Sequence, residues 1–502
     1  MTSNDNYKKR ITHNSLILYA RMLVTMLVSL YTSRIVLDAL GANDYGLYNA
    51  VGGLAVMFGF LNMSLTVSSS RFLNFEMGKN ECTVQSLRKI FSTCFHTHLL
   101  LAAIIALLCE TIGLYFLHTQ MQIPPGRMAA AQMAYHTSVV SVCTGIIVTP
   151  LSSAIIAHEK MGTFAYISIA EALGKLAIAF ILTITTHDRL KVYSVLLLLI
   201  SIMIQCLYAI YCVKNFNECK KLQRPDKKLM RRIFSFTSWN LIGDSAYAAF
   251  SQGLNILLNM FFGTVINAAR GIAIQINGMA LRFVQSFQTA VNPQLIQSYS
   301  NGNDKKMHEL IMMSSRYTLF LLTIIAVPVF FCIDFLLSIW LKEVPSYTAV
   351  FTKIIIAILY FDALGNPMTV AINATGDNKS YQLIVGGTLL LICPLSYVCL
   401  KFGAPPYAVF LCHLFFGFIA HLFRIRIVHK KTGLEYTRYF KEIFLKGGII
   451  IISSFSCTYL TSLFVSNSWL LLLCSVTVTC VIVFTIGLKN NEKTYILSKI
   501  RQ

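Results

Sequence analysis

Charge is scarce in this chain. Lys, Arg, Asp and Glu make up 13% of its 502 residues. That is about half the level of a soluble globular domain, too little to coat a water-facing surface of this size. Acid is scarcer than base, with 21 Asp+Glu against 42 Lys+Arg and a net charge of +21. Other absences narrow the function further. There is no G-x-x-x-x-G-K-[ST] phosphate loop, which excludes an ATP-driven pump carrying its own nucleotide site. There is no C-x-x-C pair and no Cys/His cluster with zinc spacing. The 14 cysteines lie mostly inside apolar runs and read as small buried hydrophobes, not as a disulfide framework or a metal centre. No cofactor is expected.

What is present is apolar. Hydrophobic residues make up 56% of the chain, mean hydropathy is +0.64, and disorder is excluded on the same grounds. Lys8-Lys9-Arg10 precedes an apolar run over 14–37, longer than a signal h-region and without a small-residue cleavage site, so a first membrane span is expected there instead of a cleaved leader. A spanning helix needs about 20 mostly apolar residues. About fourteen stretches qualify on that criterion: 14–37, 45–70, 91–117, 129–157, 163–185, 191–213, 233–262, 264–300, 310–333, 346–374, 380–400, 405–428, 443–465 and 467–487. The runs are too long and too uniformly apolar for membrane strands, so an all-α polytopic membrane protein is predicted. With a cytoplasmic N-terminus, about 30 Lys/Arg fall on the inside and about five in outside loops, the positive-inside pattern. Eight lie between Lys214 and Arg232 and seven between Arg424 and Lys446. An even span count returns Lys489, Lys493, Lys499 and Arg501 to the same side, so both termini are expected in the cytoplasm. Both dense loops also suit anionic lipid headgroups.

The chain repeats itself weakly. A shift of 222 residues pairs Lys9-Arg10-Ile11 with Arg231-Arg232-Ile233, Gly41 with Gly263, and Ser92-Thr93-x-Phe95 with Ser314-Ser315-x-Tyr317. A shift of 224 pairs Phe75-x-x-Gly78-x-Asn80 with Tyr299-x-x-Gly302-x-Asp304, and one of 217 pairs Ala157 with Ala374 and Phe164 with Tyr381. Each match is slight; their order and near-constant offset carry the argument. The expected organisation is an N-terminal lobe of spans 1–6 (1–213), a basic cytoplasmic linker (214–232), a C-terminal lobe of spans 7–12 (233–428), and two extra spans with a cytoplasmic tail (429–502). Six spans per half is even, so the pseudo-two-fold should run along the membrane normal.

Three strings carry a family resemblance: Tyr31-Thr-Ser-Arg-Ile-Val-Leu-Asp-Ala-Leu-Gly-Ala-Asn-Asp-Tyr-Gly-Leu-Tyr-Asn49, Phe262-Gly-Thr-Val-Ile-Asn-Ala-Ala-Arg-Gly271 and Phe287-Gln-Thr-Ala-Val-Asn-Pro-Gln294. The chain resembles, over essentially its whole length, bacterial polysaccharide flippases of the multidrug/oligosaccharidyl-lipid/polysaccharide exporter superfamily, in the lipopolysaccharide or capsule branch. The resemblance implies export of an undecaprenyl-pyrophosphate-linked oligosaccharide across the bacterial inner membrane, by alternating access of two lobes around a central cavity. It implies lipid-linked oligosaccharide, membrane lipids and polysaccharide-assembly proteins as partners, and no nucleic acid.

The residues themselves point to a polar lining. Successive helical residues turn by about 100°. Asn14, Arg21, Thr25 and Thr32 therefore share a face of span 1. Thr237, Asn240, Asp244, Ser251, Asn255 and Asn259 share one of span 7. Asn267, Arg270, Asn277, Gln285, Gln288 and Asn292 share one of span 8, with Gln275 and Arg282 beside them; span 2 offers only Asn62, Thr66 and Ser69. Such stripes face protein or water, not lipid, and interhelical hydrogen bonding is the competing account. An arginine at a helix centre costs roughly 2.5–3.5 kcal/mol on insertion scales. Arg34, Lys353 and Arg316 lie near helix ends and Lys175 follows Glu171 by four residues, so these four have structural explanations. Arg21, Arg270 and Arg282 do not, and a guanidinium fork suits pyrophosphate oxygens; pairing with an acid such as Asp244 is their alternative role. Asp244 and Asp362 are candidate proton or sodium coupling sites. Two further readings stay open: a multidrug cation exporter of the same superfamily, which would want an acidic cavity, and a membrane polymerase or ligase acting on lipid-linked sugars, which would want a large outward loop.

Overall fold

The computed structural model describes residues 3–494 except 57, 58, 80, 120–122, 124, 342, 343 and 491. The side chains of Asn62, Asn259 and Asn267, and the tail residues Lys499 and Arg501, lie outside the described set. Among the described residues every regular element is helical. In chain order these are α1 (Ser3–Val56), α2 (Gly59–Met77), α3 (Val84–Thr119), α4 (Met128–Ala157), α5 (Met161–Ile184), α6 (Arg189–Asn215), α7 (Lys227–Ser300), α8 (Asp304–Trp340), α9 (Thr348–Thr375), α10 (Lys379–Lys401), α11 (Ala408–Thr432), α12 (Tyr436–Phe464) and α13 (Ser468–Gly487).

Eleven helices are long and apolar enough to cross a membrane, among the described residues. Each coincides with an expected span; the other three of the fourteen expected spans are not among these eleven. Span 45–70 straddles the C-terminal part of α1, two undescribed residues and α2. Spans 233–262 and 264–300 are both parts of α7. A straight helix would hold the Cα atoms of residues 255 and 270 about 22 Å apart. Yet Arg270 donates through Nη1 to Asn255 Oδ1 and through Nη2 to the Ser251 carbonyl at 2.8 Å. No arginine reaches that far, so α7 doubles back between these residues and forms two limbs.

The described residues fall into two compact units: Met1–Leu241 with Ile296–Gly302, and Ile242–Leu295 with Asn303–Gln502. The first packs Phe72, Leu73, Phe91, Ile155 and Phe236 into its interior. The second includes a cluster of Val284, Leu322, Leu359 and Ala363. Large apolar side chains also stand outward, such as Ile184 at 79% and Phe464 at 86% exposed, as expected where lipid is the solvent.

Sequence signals set the helix ends. Thr83 and Ser86 form a reciprocal capping box at α3, Asp188 and Asn467 cap α6 and α13, and Gly376 and Gly433 close α9 and α11 in the left-handed conformation. Asp226 caps α7 by accepting from the Leu229 amide at 2.9 Å and pairs with Lys89 at 2.6 Å.

Breaks inside the helices free backbone carbonyls, and side chains from neighbouring elements take them up. Pro150 has no N–H for the Ile146 carbonyl four residues earlier; His98 Nδ1 donates to that carbonyl at 2.9 Å, while its Nε2 accepts from Ser69 Oγ at 2.9 Å. The carbonyl can only accept, which fixes the histidine tautomer. Pro367 frees the Ala363 carbonyl in the same way, and Gln288 Nε2 donates to it at 2.9 Å. Pro150 and Pro367 are related by the 217-residue repeat shift. At Gly41, where φ is 73° and ψ 164° and only glycine is comfortable, α1 kinks, and Arg189 donates to the nearby Ala39 carbonyl at 2.8 Å.

Phe75 and Tyr299, matched by the 224-residue shift, hold their rings 6.4 Å apart and tilted at 49° in the first unit. Beside them Gln297 Nε2 donates to Asn74 Oδ1 and to the Ala157 carbonyl, both at 3.2 Å, and Gly78 lies so close to Gln297 that a Cβ would run into its backbone.

Two predictions follow from these contacts. Gly78→Ala should lower the thermal midpoint of the detergent-solubilised protein, with a loss of about 1–3 kcal/mol from overpacking, whereas Gly387→Ala, where a Cβ meets nothing within 4 Å, should not. The Lys89 ion pair and the Leu229 amide hold the Asp226 carboxyl down at about 2. Because its folded value is depressed, the stability it contributes is complete above the unfolded value of about 3.9 and disappears as pH falls through about 2. The difference in thermal midpoint between wild type and Asp226→Asn should therefore be constant from neutral pH to about 4 and shrink below it.

Candidate functional site

The second unit holds the densest set of buried cations and polar groups. On the returning limb of α7, Arg270 is 4% exposed. It is held by Asn255 Oδ1 and by the carbonyl and Oγ of Ser251, the latter at 3.4 Å, while its Nε has no protein partner. Asn255 in turn donates to Gln252 Oε1 at 3.0 Å. Tyr247, one helical turn before Ser251, lies within electrostatic range of Arg270, Asp362 and Arg424, and His413 within range of Asp362 and Arg270. The α7 limbs, α9 and α11 thus bring two arginines, one aspartate, one histidine and one tyrosine into one neighbourhood.

Arg424 is the residue that reading the sequence missed. The expected span ended near 428 with Arg424 counted in the basic cytoplasmic loop. In fact α11 continues to Thr432, and Arg424 is buried inside the unit. Its guanidinium lies against Gly365 of α9, where an added Cβ would meet Nη1 at 3.0 Å and Cζ at 3.1 Å. Its Nε approaches the Tyr381 hydroxyl at 3.5 Å, and Tyr381 is hydrogen-bonded to Thr369 Oγ1 at 2.8 Å. Nη1 has no partner. Asp362 shares its helix face with Gly365, three residues on, is half-buried, and makes no ion pair within 4 Å among the described residues. Two helical positions before Gly365 on the same helix is Ala363, whose carbonyl Gln288 occupies. His421, three residues before Arg424, is fully buried among Phe361, Tyr439 and Phe444, with neither ring nitrogen partnered.

The other expected lining residues divide. Arg282 and Gln285 are exposed, and Arg282 makes no ion pair among the described residues. It sits about 27 Å of helix before the end of α7. Asn277 is half-buried with an unpartnered Oδ1. Gln288 is 1% exposed and committed to Thr318 Oγ1 at 3.0 Å and to the Ala363 carbonyl, so its amide serves helix packing. Asp244 is half-buried.

In the first unit Arg21 is half-buried, stacked on the Phe164 ring at 4.9 Å, with Nη1 3.5 Å from Ser168 Oγ and Nε unpartnered. Asn14 and Asn240 are buried. Thr25 Oγ1 donates to the Arg21 carbonyl of its own helix at 2.8 Å. Arg71 is a second cation that went unnoticed, because the expected span stopped at residue 70 while α2 runs to Met77. It is 8% exposed, with its guanidinium 4.5 Å from the Phe72 ring and 4.6 Å from that of Phe75. The run Arg71-Phe72-x-x-Phe75 is the signal that could have found it.

Three of the four cations with structural explanations have local partners, and Arg34 is exposed. Lys175 pairs with Glu171 at 2.6 Å, Arg316 with Glu492, and Lys353 Nζ lies 5.1 Å over the Phe330 ring. A cleft of about 670 Å³ opens in the first unit beside Asp44, Arg127, His187, Asp188 and Arg189. It holds none of the expected site residues, and its Arg127 is committed to Asp44 and, at 2.9 Å, to Asp188. Partial burial opposes ionisation of Asp188, but the Arg127 bonds and the Lys191 and Leu190 amides outweigh it and hold the carboxyl below the usual range. Among the described residues no three His, Cys, Asp or Glu come together to hold a metal ion.

Comparison with known proteins fits this arrangement. The sequence profile of a family described as polysaccharide biosynthesis protein matches residues 9–299, over half of the chain. No curated protein matches it. Solved structures match throughout. An outward-facing multidrug resistance MATE family transporter of the MOP superfamily is 13% identical, with a TM-score of 0.70 over 84% of this chain and 96% of that one. A Vibrio cholerae MATE transporter variant is 15% identical, with a TM-score of 0.70 over 88% and 100%. A MOP superfamily transporter from Pyrococcus furiosus, in which a reverse polarity of the binding pocket suggests a different function, is 13% identical with a TM-score of 0.68 over 84% and 96%. The fold is therefore the two-lobed fold of MATE transporters.

A buried charge retained for stability and one retained for function respond differently to removal. An apolar residue of similar length in place of a buried charge without an ion pair is neutral or stabilising. Arg424→Met should therefore leave the thermal midpoint of the solubilised protein unchanged or raise it; a clear fall would assign Arg424 to holding the fold.

Proposed function

The chain belongs to the polysaccharide biosynthesis protein family, and from that premise we propose that it is a flippase carrying an undecaprenyl-pyrophosphate-linked oligosaccharide across the bacterial inner membrane by alternating access, for O-antigen or capsule assembly. It is a multi-pass membrane protein with the fold of a MOP-superfamily transporter. The proposed orientation puts both termini in the cytoplasm, following the Lys/Arg bias of the loops.

The observation that carries this reading is the excess of unsatisfied guanidinium over carboxylate in the second unit. Arg270 and Arg424 each keep a nitrogen without a protein partner, and Arg282 is exposed far from a helix end. An arginine facing lipid there would be costly, so Arg282 faces water. Guanidinium nitrogens left open in such a place suit a multi-oxygen anion such as pyrophosphate. Arg21, with an open Nε in the first unit, supplies a further donor. Polar residues with remaining capacity, Asn277 and Gln285 among them, suit sugar hydroxyls. A cationic drug would want the opposite polarity, which disfavours the multidrug alternative. A polymerase or ligase would want a large soluble acceptor site, and the loops between the described helices are short. No covalent step is required; the polyprenyl tail stays in lipid while the polar head crosses. Asp362 and Asp244 are the acids placed to couple that movement to protons or sodium, with Asp362 close to the arginine cluster.

Reconstituted into liposomes, the protein should move lipid-linked oligosaccharide from one leaflet to the other without forming a new product. Arg21→Ala, Arg270→Ala and Arg282→Ala should each remain in the membrane and lose most of that transport, and Asp362→Asn or Asp244→Asn should lose its dependence on an ion gradient. Full transport by all three arginine variants would sink the assignment, and unchanged gradient dependence in both aspartate variants would remove them as coupling sites.

A further inference from the structure

Two pairs of thiols approach each other in this protein, at opposite ends of the helices in the proposed orientation. Cys399 lies two residues before the end of α10 and Cys412 four residues after the start of α11. Their Sγ atoms are 4.0 Å apart. The hairpin 402–407 joins the two helices, with Gly403 in the left-handed region at φ 83° and two prolines, Pro405 and Pro406, after it. Cys412 is buried and Cys399 is half-exposed. The second pair is Cys212, in the last turn of α6, and Cys219 in the basic linker, both buried and within hydrogen-bonding reach of each other. The loop bias places hairpin 402–407 outside and linker 214–232 inside. Thiols persist in a reducing cytoplasm, and pair in an oxidising outer compartment.

We propose that Cys399 and Cys412 form a disulfide that staples α10 to α11 at their outward ends. The inference rests on the orientation proposed above. The sulfurs must close by about 2 Å to reach bonding distance, within the range of a side-chain rotation by half-exposed Cys399. The oxidant is a disulfide-bearing protein or small molecule of the outer compartment. The Cys399 thiolate attacks one sulfur of that disulfide, forming a mixed disulfide and releasing the other sulfur as a thiol. The Cys412 thiolate then attacks Cys399 Sγ and releases the second thiol. Two thiol protons and two electrons leave the protein, and one external disulfide becomes two thiols. The half-exposed and the buried cysteine fit the two steps, one open to the incoming oxidant and one placed to resolve the intermediate. The staple would lie next to His413 and on the two helices that carry Tyr381 and Arg424, fixing the outward end of the arginine neighbourhood.

The test is alkylation of the full-length protein in intact cells quenched with acid, using a maleimide large enough to shift its mobility, before and after reduction. Twelve of the 14 cysteines should react before reduction and all of them after it. Cys399→Ser and Cys412→Ser should each abolish the reducible difference, and Cys212→Ser should keep it. A C-terminal reporter that is active only in the cytoplasm checks the orientation in the same cells. If all cysteines react without reductant while the tail is inside, the disulfide is overturned and the orientation stands. If the tail is outside, the orientation is overturned and the disulfide with it. A reducible difference that disappears in Cys212→Ser and survives in Cys399→Ser also contradicts the assignment.

Discussion

A backbone carbonyl inside a bilayer has no water to turn to, and that constraint organises this protein. Its helices are broken at useful places, and each break leaves a polar group to be satisfied from within. His98 takes the Ile146 carbonyl below Pro150, and Gln288 takes that of Ala363 below Pro367. Tyr135 does the same for Cys109, where a stretch of π-helix widens α3, donating at 2.6 Å. Each bond ties two elements together, so the features that bend the helices also hold them in place. Remove the donating side chain and a carbonyl is left unpaired, at a cost of about 1–3 kcal/mol where it is buried.

These breaks position the charge. Asp362 lies one residue before Ala363 and three before Gly365, on the stretch of α9 that Pro367 disturbs and Gln288 steadies. Gly365 lacks a side chain where the Arg424 guanidinium lies flat. The doubled-back α7 brings Arg270 onto Ser251 and Asn255 of its own outgoing limb. Arginine is thus partly satisfied by neutral oxygens and keeps nitrogens over, an arrangement that is stable without an acidic partner and still receptive to an anion. Where charge is only structural the pairing is more complete, as with Arg127 between Asp44 and Asp188, or Lys175 on Glu171.

Much of this was legible in the sequence. Long apolar runs located eleven helices long and apolar enough to span a membrane, and the flippase-like strings pointed to the family. Placement of individual polar groups was less legible, for identifiable reasons. Ending a span where charge appears hid Arg71, one residue past the expected span, and counting the cluster from Arg424 to Lys446 as loop hid Arg424, although the expected span ran to 428. Projection onto a helical wheel gives the face of Gln288 but not its partner, because that partner is a carbonyl freed by a proline 79 positions later in the chain. Hydropathy divided α7 into two spans, 233–262 and 264–300, but could not show that Arg270 folds back onto Ser251 and Asn255.

The central claim is that the open guanidinium groups recognise an anionic headgroup. It is tested most directly by measuring, in liposomes holding the purified protein, translocation of one oligosaccharide carried on a polyprenyl pyrophosphate and on an uncharged polyprenyl lipid. The account predicts that the pyrophosphate-linked form crosses and the uncharged form does not. Equal rates for the two would contradict it.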